Sequence, residues 1–355
     1  MNRDNQKKVF VAMSGGVDSS VAAFLLKDQE YNVTGAHMVC WDGCENNEDR
    51  HDAERVALKL GIPFHVFDFR KEYKERVFDY MIGEYSKGRT PNPDAVCNSE
   101  IKFGIFLKKA HEMGADFIAT GHYVRKEAKL PLGSLASMLL EARDKSKDQS
   151  YFLCRLTQEQ IKYSLFPIGD YLKSEVREIA AGAGLITASK KDSQGLCFVG
   201  KVDFQDFLRG YIPKKEGKII NSKGELLGKH DGSHFFTPGQ RHGIKLGGFK
   251  EPLYVAETHH GDNTVLVAEG KEDQILYKKE IYASEINWIS GEAPEFPFEC
   301  EARIRYRQPL QEAKILIQDS LFLIRFKKPQ RGVAPGQFAA FYKEGELLGG
   351  GIIES

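Results

Sequence analysis

The sequence predicts an α/β domain built on a parallel sheet, followed by a small β-rich central domain and a C-terminal β-barrel. Two observations carry that reading. From residue 8 to about 185, short apolar runs alternate with longer segments whose apolar residues recur at three- and four-residue steps. After about residue 210 the texture changes to short β-rich runs separated by glycine turns. Strand and helix in alternation imply a parallel sheet covered by helices on both faces. Boundaries are expected near residues 205 and 275, dividing the chain into 1–205, 206–275 and 276–355.

Taken in order, "KVFVAM", "YNVTGAHMV", "PFHVFDF" and "ADFIATGH" read as buried strands of the first part. Between and after them, "DSSVAAFLLKD", "EDRHDAERVALKLG", "EIKFGIFLKKAHEMG" and "KSEVREIAAGAG" read as helices, most of them stopped near a glycine. In the second half, "GKIINSKGELLGKH", "LYVAETHHGDNTVLVAEG" and "AKILIQDSLFLIRF" read as strands. "SKGE" and "HGDNT" supply the hairpin turns, and the proline-bearing "GEAPEFP" reads as a connector near the start of the final barrel.

At 355 residues the chain is long enough for two or three domains at roughly 150 residues each. Its 41% hydrophobic content excludes a disordered chain. The polar start "MNRDNQKK" has no apolar segment of signal-peptide length, and no stretch approaches about 18 uninterrupted apolar residues, so a cytoplasmic protein without a membrane partner is expected. Six scattered cysteines, at 40, 44, 97, 154, 197 and 300, do not make a disulfide scaffold; an important one should be reactive or metal-bound. Fifty basic residues balance fifty acidic ones, so nucleic-acid binding, if present, must use a local basic surface.

"MSGGVDSS", residues 13–20, delivers a strand into a helix. That turn aims backbone N–H groups and a helix N-terminus at one point, where an anion is favoured. Glycines at 15 and 16 admit a phosphate to the backbone, and Ser14, Ser19 and Ser20 add hydroxyls. Asp18 suits two roles, helix N-cap or ligand for phosphate-bound magnesium. The lysine of a Walker A loop is missing, and so is the dinucleotide fingerprint. The motif resembles instead the PP-loop of ATP pyrophosphatases, which adenylate a substrate and release pyrophosphate.

Two cysteines sit in unusual company. In "TPNPDAVCNSEIKFG" the prolines at 91 and 93 stiffen a loop presenting Asn92, Asp94 and Cys97 where a helix begins, a position that lowers a thiol pKa, although the charge of Asp94 opposes this. A buried cysteine beside an N-capping aspartate fits the same segment. In "KKDSQGLCFVG" Lys190 and Lys191 favour a thiolate at Cys197, while a core cysteine before "FVG" is the plainer alternative. "CWDGC" at 40–44 has the wrong spacing for a zinc pair.

Together, "SGGVDSS", "TPNPDAVCN", "GHY", "KDQSYFL", "KKDSQGLCF", "FTPGQRHG", "RYRQ" and "PGQ" with "GGGII", in that order from about residue 8 to 354, resemble the tRNA-specific 2-thiouridylases. The resemblance implies a PP-loop ATPase domain, a central domain and a C-terminal β-barrel that meets tRNA. ATP would lie against Ala12, Met13, Ser14, Gly15, Gly16, Val17, Asp18 and Ser19, with Met38 and Gly121 beside the adenosine and magnesium on the pyrophosphate. The implied reaction replaces O2 of a wobble uridine by sulfur after adenylation of that oxygen. Cys197 would carry the sulfur as a persulfide obtained from a sulfur-carrier protein or cysteine desulfurase. Cys97 would resolve the bond, leaving a Cys97–Cys197 disulfide, and Asp94 would act as acid or base. Asn92, Pro93 and Asp94, His122, Lys147, Asp148 and Gln149, Arg305 and Tyr306, and Gln337 match segments that touch tRNA in that family. An iron–sulfur cluster on Cys97, Cys197 and a third ligand would call for the same thiols. The competing readings are an amidotransferase-type adenylating synthetase, which has no use for paired cysteines 100 residues apart, and a non-catalytic RNA-binding protein, in which Asp18 and the cysteines would be structural.

Overall fold

In the computed structural model, residues 6–41, 48–128, 136–192 and 204–355 are described. Five parallel strands form the first sheet: β1 (Lys8–Ala12), β2 (Asn32–Val39), β3 (Phe64–Asp68), β4 (Phe117–Ala119) and β7 (Ser164–Leu165), in the spatial order β3-β2-β1-β4-β7. The central strand explains the uninterrupted apolar run: Val9 and Val11 face one helical layer while Phe10 and Ala12 face the other. On the first side Val17, Val21 and Leu25 of α1 (Val17–Asp28), Val56 and Leu60 of α2 (Glu48–Leu60) and Val176 of the helix Lys173–Gly182 close the core. On the second, Ile101, Phe103 and Phe106 pack with Phe67 and Met38.

β3 departs from the expected buried strand. It is the sheet edge, and His65, Val66 and Asp68 are exposed while Phe67 is covered. The helix expected from about residue 100 starts earlier, at Pro93, and runs as α-helix Pro93–Cys97, a π-helical stretch Asn98–Ile105, and α-helix Phe106–Glu112. Gly104 fits that widened turn because a Cβ there would lie 2.8 Å from the Ser99 carbonyl oxygen.

A hairpin of β5 (Val124–Ala128) and β6 (Ser137–Glu141) was not legible in the sequence. It leaves the parallel sheet and joins the C-terminal one, where β6 pairs with β17 (Glu346–Ile353) through Leu139↔Leu347 and Leu140↔Glu346. The barrel has six strands, in the order β12 (Tyr277–Trp288), β15 (Leu321–Arg331), β14 (Gln311–Gln318), β13 (Phe298–Arg303), β16 (Phe338–Lys343) and β17; β12–β17 pairing closes it. "GEAPEFP" therefore lies between β12 and β13, inside the barrel sequence and not near its start. β12 opens the barrel, and its charged outward side chains had hidden it. Between sheet and barrel, β8 (Gly217–Ile220), β9 (Leu226–His230), β10 (Leu253–His259) and β11 (Thr264–Glu269) form a four-stranded sheet, with a parallel β8–β11 pair joining two hairpins.

The barrel docks on residues 141–156. Arg303 bridges Glu141 and Asp148, reaching the latter at 3.1 Å. Tyr151 donates its hydroxyl to the Phe338 carbonyl at 3.0 Å, and Asn287 donates to the carbonyls of Cys154 and Leu156.

Candidate active site

Strand order reverses between β1 and β4, and a ligand crevice is expected beyond the carboxyl ends of strands at such a switch point. The glycine-rich loop after β1 and the "TGHY" turn after β4 occupy it. Gly15 has φ +78° and leaves no room for a side chain, since a Cβ would fall 2.0 Å from the Asp49 carbonyl oxygen. Gly121 meets the same limit from the other side, its Cβ position lying 2.6 Å from the Ser19 nitrogen. The loop braces itself: Ser14 N–H donates to Ser19 Oγ at 3.2 Å, and Ser20 Oγ donates to the Gly16 carbonyl at 2.8 Å. His37 Nδ1 holds the Met13 carbonyl at 2.9 Å. Ser14 faces solvent, while Ala12, Met13, Val17 and Ser19 are buried supports. Met38 is buried near the end of β2, in the apolar layer with Cys40 and Phe67.

Asp18 does not cap α1. Gly16 is the N-cap residue and makes no side-chain cap, so Asp18 sits in the first turn. Its carboxylate instead receives the Tyr123 hydroxyl at 2.8 Å and the Lys173 ammonium at 2.7 and 2.8 Å. Sequence reasoning missed Tyr123, Lys173 and Asp192. Asp192 accepts from Lys147 at 2.7 Å, Lys173 at 2.9 Å and Arg177 at 2.8 Å. Burial opposes the charge on Asp192, but hydrogen bonds from Lys147 and Lys173 prevail and hold its carboxyl at about 2. Lys190 pairs with Asp49 and Asp52 of α2, at 2.6 and 2.5 Å, and so is engaged with carboxylates and not held in reserve for a thiol. Cys197 and Cys44 lie outside the described residues.

The second segment is gripped by all three parts of the chain. Gln337, from the barrel, donates Nε2 to the carbonyls of Thr90 and Pro91, each at 2.9 Å, and accepts from Asn92 Nδ2 at 3.4 Å. Thr90 N–H donates to Pro335, and its hydroxyl meets that of Thr237 in the central part at 3.2 Å. Asn92 caps the helix, its Oδ1 accepting from Ala95 N–H at 3.1 Å, and Pro93 occupies the first turn. Asp94 is therefore no N-cap; it is half-exposed, between buried Pro93 and buried Ala95.

Cys97 corrects an expectation. Five positions past the cap, it lies beyond the first turn, where the helix terminus has little hold on it. It is fully buried, and burial above all pushes its thiol up to about 12, with Cys40 and Asp94 adding and Lys102 opposing. Cys97 thus holds its proton in this conformation. His122 is also buried; its Nδ1 meets Thr120 Oγ1 at 2.8 Å and its ring lies 5.7 Å from that of Phe103. Burial and the charge of Lys102 keep its imidazole neutral, well below its ordinary range. Lys102 thus acts on both groups, and no local spacing had marked it.

The remaining residues divide by exposure. Gln149 holds the Tyr123 backbone, accepting from its N–H at 3.0 Å. Asp148 is 2% exposed and satisfied by Arg303, Ala142 and Ser150, so its carboxylate serves the barrel interface. Arg305 staples the barrel to the central part through the Pro238 carbonyl and also holds the Gly332 carbonyl within the barrel. Tyr306 packs on Phe152 at 4.5 Å, with the exposed Arg307 over its ring at 5.0 Å. Among the described residues no three His, Cys, Asp or Glu side chains are grouped to hold a metal, and no helix is long and apolar enough to cross a membrane.

Comparison with known proteins places this geometry. Residues 7–201 match a family model described as a tRNA methyl transferase HUP domain, 205–269 a tRNA methyl transferase PRC-barrel domain, and 278–353 an aminomethyltransferase beta-barrel domain. A tRNA-specific 2-thiouridylase MnmA of Christiangramia forsetii is 44% identical over 98% of this chain and 100% of its own length. Namesakes from Geobacillus thermodenitrificans (45%, 99% of this chain and 95% of theirs) and Chlamydia abortus (46%, 98% and 97%) align similarly. The domain descriptions and these names disagree on the group transferred; identity sustained along whole chains is the more specific comparison. On that end-to-end likeness, with a PP-loop at the sheet's switch point, the chain belongs to the tRNA-specific 2-thiouridylase family.

Proposed function

We propose that this chain replaces O2 of a wobble uridine in tRNA by sulfur, using ATP to activate the oxygen and a cysteine persulfide as sulfur source. One observation carries the reading: the segment bearing Asp94 and Cys97, part of the sheet domain, is bonded at once by Thr237 of the central part and Gln337 of the barrel. A macromolecule lying across the three parts would bear directly on it.

In the first step uridine O2 attacks the α-phosphorus of ATP, the bond to the β-phosphate oxygen breaks, and pyrophosphate leaves into the N–H groups of residues 14–19. The proton lost from the base passes to a general base, for which Asp94 is the half-exposed candidate. Asp18 already holds a cation, the Lys173 ammonium, and one or two carboxylates with substrate phosphates suffice for magnesium. Magnesium there would neutralise the departing pyrophosphate.

In the second step the terminal sulfur of a Cys197 persulfide attacks C2, and AMP leaves with the former O2. Cys97, deprotonated, then attacks the Cys197 sulfur, releasing the 2-thiouridine and leaving a Cys97–Cys197 disulfide. A thiol reductant restores both cysteines, and a sulfur-carrier protein or desulfurase reloads Cys197. Because Cys97 is buried and protonated, this step requires its surroundings to open. Met38 and Gly121 would flank the adenosine; Asn92, Pro93, His122, Lys147 and Gln149 the anticodon side; and Tyr306, Gln337 and the cations beside them the barrel side. Arg305 and Asp148 would act by fixing the barrel.

Purified chain is incubated with unmodified tRNA, ATP, magnesium and a persulfide donor, and the RNA is run on an organomercury gel. Retarded RNA is expected with the native chain and none with Cys97→Ser or Cys197→Ser. Full thiolation by either variant would overturn the two-thiol scheme; ATP consumption with ammonia uptake would favour an amidotransferase.

A further inference from the structure

We infer that Asp192 is a positioning residue that ties sulfur delivery to the state of the ATP loop, an inference resting on the roles proposed for that loop and for Cys197. Asp192 stands five positions before Cys197 and touches neither nucleotide nor base in that scheme. What singles it out is the ammonium it shares. Lys173, only 12% exposed in its side chain, has three N–H donors; two distances of 2.7 and 2.8 Å run to Asp18 and one of 2.9 Å to Asp192. Its donor capacity is thereby filled. A phosphate oxygen that draws on Lys173 must displace one of the two carboxylates, so occupation of the loop alters the hold on Asp192.

The neighbouring contacts make Asp192 a point of leverage. Lys147 and Arg177 fasten the same carboxylate, and Lys190, two residues earlier, is clamped to Asp49 and Asp52. Asp49 in turn presents its carbonyl to Gly15 of the loop. The chain that leads toward Cys197 is thus moored on two sides of the ATP loop, through α2 and through Lys173. Downstream, Phe207 and Tyr211 pack with Phe78, at 6.1 and 4.8 Å between ring centres, and Phe207 also meets Trp41 at 6.2 Å. Of these two moorings, the upstream one lies against the ATP loop, through Lys173 on Asp18. Three cations, Lys147, Lys173 and Arg177, are matched there by three carboxylates, Asp18, Asp144 and Asp192, so a phosphate oxygen gains a cation only by displacing a carboxylate.

The test uses the full chain with Asp192→Asn and Asp192→Glu, each first shown by thermal unfolding to be folded. Three quantities are read: pyrophosphate released in a single turnover with tRNA, 2-thiouridine formed per pyrophosphate, and iodoacetamide labelling of Cys197 with and without a non-hydrolysable ATP analogue and magnesium. For Asp192→Asn, pyrophosphate release within threefold of the native chain is expected, with thiouridine per pyrophosphate lowered at least tenfold. The analogue should change Cys197 labelling at least threefold in the native chain and not in Asp192→Asn. Asp192→Glu, which keeps the charge, should restore both within threefold. The inference is overturned if Asp192→Asn keeps the native yield per pyrophosphate and the native labelling response, or if both activities fall in parallel while Asp192→Glu rescues neither. A native chain that makes no thiouridine would sink the proposed reaction, and the labelling response would still decide the coupling.

Discussion

Cys97 offers the sharpest prediction, because its chemistry and its burial pull in opposite directions. Its thiol is displaced from 9.0 to about 12, chiefly by loss of solvent. Only the thiolate reacts with an alkylating agent, and its fraction near neutral pH falls tenfold for each pH unit by which the pKa rises. The folded chain should therefore alkylate at Cys97 about a thousandfold more slowly than the same chain in guanidinium, before any steric shielding is counted. The assay is iodoacetamide labelling at pH 8, quenched over time, with the Cys97 peptide quantified by mass spectrometry. Adding tRNA to the folded chain should accelerate the labelling, since the proposed resolving step needs a free thiolate. A Cys97 rate in the folded, tRNA-free chain within tenfold of the unfolded rate would refute the reasoning, because it would mean that the thiol is neither desolvated nor protonated.

Gly121→Ala should weaken ATP binding by roughly ten- to a hundredfold in calorimetry, because a methyl 2.6 Å from the Ser19 nitrogen displaces an N–H that the proposed site offers to the nucleotide, an interaction worth about 1.5–3 kcal/mol to an anion; unchanged affinity would contradict the proposed site. Gln337→Ala removes two hydrogen bonds to the 90–91 carbonyls, which should lower stability by about 1–2 kcal/mol in urea unfolding and reduce thiolation more than ATP binding. Three buried thiols, Cys97, Cys154 and Cys300, are each raised from 9.0 to about 12. Unfolded thiols ionise near 9 while these hold their protons, so stability present below pH 9 should be lost as pH climbs toward 12; calorimetry showing a flat melting temperature from pH 8 to 10.5 would exclude this.

What could be foreseen followed from local physics. The β1 run and the 15–16 glycines announce themselves because a doubly covered strand must be apolar throughout and a phosphate-approaching turn must lack side chains. The β5–β6 hairpin escaped notice because β6 finds its partner, β17, some 200 residues later. The π-helical stretch read as ordinary helix because Phe103, Phe106, Leu107 and Ala110 still recur at three- and four-residue steps, which does not reveal the widened turn. In the site, motifs supplied the candidate residues, whereas Lys173 and Asp192 escaped them: a pair linking residues 18 and 173 has no spacing to recognise. Asp148 and Arg305 show the converse failure. Polar residues in a promising motif can be consumed by neighbouring domains, Asp148 by Arg303 and Arg305 by the Pro238 carbonyl.

The β6–β17 seam deserves a mechanical reading. Leu139 and Leu347 are sealed within it, at 0% and 1% exposure, so the ATP-binding part and the barrel share a backbone ladder instead of meeting through a swivel. Spacing between nucleotide loop and barrel rim is then set in advance, like marks on a ruler, and an RNA must suit that interval or bend to it. Separating the chain into halves near residue 205 would turn β6 into a bare edge strand prone to stick to its own copies, while the closed barrel would lose cover only at residues 346 and 347 of β17.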